Sequence, residues 1–210
     1  MLSYVSIERR ETSDERQNKE DYMKFFGIAL GVIVLVALLA GGWIIGGLNH
    51  AVQLDEAVNS AWAQVDNQLQ RRNDLIPNLV KTVMGYADHE RELFTKITDL
   101  RSQWGKAATQ AEKIDVANQM SGALSRLLLV AENYPDLKAN QNFLALQSQL
   151  EGTENRIAVE RMRYNTAVKE FNTYQRTVFG AIFTSMRGLG QPRKYFEAED
   201  GATKVPEVKF

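Results

Sequence analysis

The 210-residue chain sets 25 Lys and Arg against 26 Asp and Glu, for a formal net charge of −1, and contains no cysteine. So even a balance gives no overall basic footprint for nucleic acid, whose binding relies on clustered cations against phosphate. The missing cysteines exclude disulfides, iron–sulfur clusters, thiolate zinc sites and cysteine nucleophiles.

Residues 1–24 are a polar leader of mixed charge, which lateral contact with neighbouring copies would order. Residues 25–48, FFGIALGVIVLVALLAGGWIIGGL, then carry no charged, amide or hydroxyl side chain. As a helix this stretch would measure ~36 Å at ~1.5 Å per residue, enough to cross a ~30 Å hydrocarbon core with some tilt. A cleaved signal peptide has a shorter apolar region and usually a shorter leader. The stretch therefore predicts an uncleaved membrane anchor. Arg9, Arg10, Arg16, Lys19 and Lys24 precede it, and the next basic residues are Arg71 and Arg72. By the positive-inside rule the N-terminus is cytoplasmic and the C-terminal part lies outside. Gly27 and Gly31, and again Gly42 and Gly46, stand four apart in the span. Small residues at that spacing let membrane helices approach closely, so these faces predict self-association.

After the span, apolar positions recur every three or four residues in four successive patterns, the signature of helices with one buried face. They cover about 48–69, 75–104, 110–133 and 137–178. Pro135 separates the third from the fourth, because proline supplies no N–H and restricts the residue before it. Residues 71–80, RRNDLIPNLV, read as the turn between the first two, with Asp74 as N-cap and Pro77 in a first helical turn. No period-two strand pattern of useful length precedes residue 190. Helices that each bury one stripe pack as a bundle. The expected fold is all-α: a single N-terminal transmembrane helix, then an antiparallel four-helix bundle with long helices over 49–188. An irregular tail over 189–210 carries the aromatic anchors Tyr195, Phe196 and Phe210.

Glu154 and Arg161 interrupt the apolar seam of the fourth helix. Charges on a packed seam need partners, and Arg71, Arg72 and Asp74 are the natural ones if the fourth helix passes the 71–80 stretch. The alternative is a drift in helix phase that lets both side chains reach water. Either way the expected cluster is structural. Catalytic signals are weak. Asp88-His89-Glu90 lacks the second histidine that a zinc helix needs, since Leu93 occupies that place. No G-x-S-x-G elbow is present, and Gly188-Leu189-Gly190 is too short for a dinucleotide loop. The sequence is expected to hold no catalytic residue, metal or cofactor.

The stretches WAQVDNQLQRRNDLIPNLVKTVMGYADHE, ENRIAVERMRYNTAVKEFN and YFEAEDGATKVPEVKF occur in that order. Together they resemble the LemA family of bacterial membrane-anchored helical proteins, from about residue 25 onward. The resemblance implies a membrane helix followed by a four-helix bundle and supplies no reaction. The expected function is a scaffold in the bacterial inner membrane that contacts lipid, forms homo-oligomers and acts through protein contacts. An adaptor that docks a membrane protease or quality-control partner is the second reading, and an enzyme the least favoured.

Overall fold

The computed structural model describes residues 2–87 and 89–197, with the backbone alone for residues 2–22. All regular structure among the described residues is helical. The helices are α1 (Leu2–Met84), α2 (Arg91–Lys106), α3 (Gln110–Ala131), α4 (Pro135–Lys138), α5 (Gln141–Gln175) and α6 (Val178–Met186). The chain divides into two compact units after His50. In the first, the apolar part of α1 is long and apolar enough to cross a membrane, and its side chains are almost all exposed.

The second unit is the bundle, with successive long helices alternating in direction. Its part of α1 buries two series of residues at seven-residue steps: Ala51, Val58, Val65, Arg72 and Leu79, and Trp62, Leu69, Ile76 and Val83. Such steps keep one seam facing a partner helix. The partner is α5, which buries Phe143, Leu150, Ile157, Tyr164 and Phe171 at the same step. α2 adds Leu93, Phe94, Ile97, Leu100 and Trp104, and α3 adds Ile114, Ala117, Met120, Leu124 and Leu127. Apart from Ala51 and Arg72, these side chains form one core.

The first turn of the bundle is not where the sequence suggested. α1 runs through Asp74 and Pro77 without a break and ends at Met84, so the turn to α2 falls after it. Pro77 has no N–H to give the carbonyl of Asn73, four residues back. Arg101 of α2 compensates by donating its Nε to that carbonyl at 3.4 Å. Meanwhile Ile76, Leu79, Val80 and Val83 continue the buried stripe, which a turn at Asp74 would have taken out of the core.

The ends are defined locally. Thr109 and Glu112 form a reciprocal capping box at the start of α3: Thr109 Oγ1 accepts from Glu112 N–H, and Glu112 accepts from Thr109 N–H. Hydrogen bonds from the amides of Ala108 and Thr109 hold the Glu112 carboxyl below its ordinary 4.5. The expected fourth helix splits into α4 and α5, because Asn140 caps α5 by accepting from the amides of Asn142 and Phe143. α6 ends in a Schellman motif, with Leu189 N–H on Thr184 O (2.8 Å) and Gly188 N–H on Ser185 O (3.0 Å). Gly188 takes the left-handed conformation that this motif requires, at φ +72°. From there residues 189–197 run back along α5 as an extended strap.

Candidate functional site

Arg72 lies on the seam of α1 with 1 % of its surface exposed. Its Nη1 donates to Ser121 Oγ at 2.9 Å and to Glu154 Oε1 at 3.2 Å, and its Nη2 to the carbonyl of Ala117 at 3.1 Å. One guanidinium thereby ties α1 to both α3 and α5. Glu154 keeps 35 % of its side chain exposed, so the ion pair is buried at one end and solvated at the other. Its Coulomb attraction is correspondingly screened. Lys113 of α3 braces the same region: it pairs with Asp66 at 2.9 and 3.0 Å and lies 5.0 Å from the Trp104 ring centre.

The structure brings Arg72 and Glu154 together and sends the other expected members of the cluster elsewhere. Arg71 and Asp74 are exposed on the outer side of α1, and Asp74 accepts from Gln70 Nε2 at 2.9 Å. Arg161 is stationed further along α5, 4.7 Å from the centre of the Phe196 ring. Ser121 is the member that the sequence reading passed over. It has a signal, though: it falls on the α3 stripe between Ala117 and Leu124, at steps of four and three. The seven-residue series on α1 likewise selects Arg72 over Arg71.

The second constellation holds the strap. Asn165 donates from Nδ2 to Phe196 O and accepts from Phe196 N–H, both at 2.9 Å. Asn172, two helical turns on, does the same for Arg193, at 2.9 and 2.8 Å. Each amide satisfies the two backbone groups of one strap residue, as a neighbouring strand would. Tyr164 donates its hydroxyl to Lys194 O at 2.9 Å, and burial pushes that hydroxyl's pKa up, partly opposed by Arg193. Phe196 closes the groove by stacking on Trp62 and meeting Tyr164 edge-on. Arg193 pairs with Asp55 of α1, and Lys194 with Asp115 of α3 at 2.7 Å. The strap therefore touches three helices. Of the expected aromatic anchors, Phe196 is buried and Tyr195 about one-third exposed, while Phe210 lies outside the described residues.

A family model for the LemA family matches residues 61–210, which contain both constellations apart from Asp55. The chain belongs to the LemA family. This LemA-family chain is similar to a protein LemA of Metamycoplasma hominis, 22 % identical over 153 residues, covering 72 % of this chain and 67 % of the relative. It is also similar to magnetosome protein MamQ 2 of Paramagnetospirillum magneticum, 25 % identical over 171 residues. Magnetosome protein MamQ of Magnetospirillum gryphiswaldense is 24 % identical over the same length. Each MamQ comparison covers 69 % of this chain and 62 % of the relative, so the chain spans less than two thirds of those proteins.

The remaining expected positions are not drawn into either constellation. Around Gly27, Gly31, Gly42 and Gly46 an added Cβ would meet nothing within 4 Å, so these faces are open. No group of three or more His, Cys, Asp or Glu converges among the described residues. Asp88, the first residue of the Asp88-His89-Glu90 run, lies outside them.

Proposed function

We propose that the chain is a single-pass, membrane-anchored helical scaffold that self-associates and acts through protein contacts in envelope or membrane organisation. Its N-terminus would be cytoplasmic and its bundle on the outer side of a bacterial inner membrane. One observation carries the reading: the apolar segment of α1 is exposed along nearly its whole length, while the bundle buries a core of its own. An apolar helix of that length needs lipid or other helices around it. The polar groups of the bundle support a structural role as well. Arg72 and the strap-binding amides spend their hydrogen bonds on holding elements together, which leaves them poorly placed to act on a substrate. The relatives point the same way, since their names record a family and a location rather than a reaction.

The test is the native mass of the full chain in mild detergent. Multiples of the chain alone are expected. A monomer would overturn self-association, and a stoichiometric foreign protein would favour the adaptor reading. Gly27→Leu with Gly31→Leu should lower the mass if the glycine faces join the copies, since leucine keeps the span apolar but separates the helix backbones. For orientation, a cysteine at Gln110 should react with a membrane-impermeant thiol reagent in cells whose outer membrane, where one is present, has been opened. One at Ser13 should not.

A further inference from the structure

The register between α1 and α5 decides which end of the bundle each later element occupies. Trp62 meets Tyr164, Arg72 meets Glu154 and Tyr86 meets Asn140. Each step along α1 is thus matched by an equal step back along α5. Carried on, the same register sets Gln175, the last residue of α5, level with Ala51, where the bundle begins. Arg193 returns the strap to that end through its pair with Asp55. α6, which lies between them in sequence, therefore sits at the end of the bundle where the chain arrives from its apolar segment. That segment closes at Leu48, seven residues before Asp55, which is at most ~25 Å of fully extended chain.

At this end α6 turns an apolar side outward. Phe183 and Thr184 are buried, while Val178, Ile182 and Met186 are 75 %, 50 % and 63 % exposed. Steps of four place these three on one side of the helix. Ala181 and Ser185, also exposed, add no charge to that side. The ends of the helix are bracketed by exposed Arg176 and Arg187. Residues 171–196 contain those two arginines, Arg193 and Lys194, and not one Asp or Glu. A short apolar stripe with arginines at its ends, in a stretch of chain that holds no acidic residue, is complementary to the surface of an anionic bilayer.

We propose that α6 is an in-plane membrane helix. Its Val178–Ile182–Met186 stripe beds at the acyl boundary of the bilayer that the apolar segment crosses, and Arg176 and Arg187 lie among the headgroups. This rests on the membrane-anchored reading and adds to it a lipid contact made by the bundle itself.

Because the chain lacks cysteine, single cysteines can carry a nitroxide without background. The full chain would be reconstituted in vesicles of phosphatidylethanolamine and phosphatidylglycerol and labelled at Ile182→Cys, Met186→Cys, Ile33→Cys or Ser125→Cys. Oxygen, enriched in hydrocarbon, and a neutral nickel chelate, confined to water, then report the surroundings of each label by power saturation. Labels at 182, 186 and 33 should be open to oxygen and shielded severalfold from nickel relative to Ser125, an exposed residue of α3. Labels at 182 and 186 as open to nickel as Ser125 would overturn the proposal. Labels shielded from both reagents would overturn it too, because a second copy or the chain itself would then cover the stripe. If Ile33 reads as lipid in either case, the anchored reading stands. If Ile33 itself is open to nickel, that reading falls and α6 with it.

Discussion

Arg72 and Asn172 both put polar atoms inside the bundle, but they bind different kinds of neighbour. Arg72 is a buried charge shared among a hydroxyl, a carbonyl and a carboxylate on two other helices. Asn172 is neutral and satisfies both backbone groups of one strap residue. The first joins helices that otherwise meet mainly through apolar contacts, which tolerate sliding, with the Lys113–Asp66 pair as a second polar tie between α3 and α1. The second attaches a segment with no hydrogen-bond ladder of its own to a helix already formed. A polar residue at a single seam position is a well-attested way to fix register. Damage to Arg72 should therefore spread through the bundle, and damage to Asn172 should stay in the strap.

The largest effect is expected from Arg72→Leu. It removes three hydrogen bonds and leaves Glu154 without its cation, so the loss should be ~3 kcal/mol, kept from higher values by the water that Glu154 can reach. Thermal unfolding of the full chain in detergent measures it. A loss below ~1 kcal/mol would show that the pair behaves as a surface bridge. Asn172→Ala should cost ~1–2 kcal/mol, since it strands the amide and carbonyl of Arg193. Hydrogen exchange should rise in residues 189–197 and stay unchanged in α2 and α3, and an equal rise throughout would erase the contrast with Arg72. Glu154→Gln, which keeps the shape and deletes a half-solvated charge, should cost ~1 kcal/mol or less.

Smaller still is a pH effect on the strap. Burial raises the pKa of Tyr164, so the folded chain holds that proton at a pH where the unfolded chain has released it. Its contribution is complete below the ordinary tyrosine value of 10.0 and is lost as pH rises above that. Melting temperature should thus fall more steeply from about pH 9 to about pH 11 in the wild type than in Tyr164→Phe. Parallel slopes would place the Tyr164 hydroxyl in water. Arg71→Ala and Asp74→Ala, both on exposed sites, should each change stability by less than ~0.5 kcal/mol. A larger loss from either would return it to the cluster in which the sequence first suggested it.

What the sequence determined by itself was periodic or extreme. The uncharged run at 25–48 and the three- and four-residue spacing of Val58, Trp62, Val65 and Leu69 are repeated signals, so a single exception does not hide them. They suffice for an apolar helix and an all-α bundle. Seam phase also singled out Glu154. Its partner, 82 residues away in sequence, depended on the register between α1 and α5, which the packing of Trp62 on Tyr164 and their neighbours sets. Asp74 and Pro77 misled because capping and proline rules are local. Tertiary structure overrode them by giving the freed Asn73 carbonyl to Arg101 and by keeping Ile76, Leu79 and Val83 in the core. The strap was hardest to read, for it has no period and makes its hydrogen bonds to side chains of another element. Asn165 and Asn172, seven residues apart, became a pair of clamps only once residues 193–196 lay beside them.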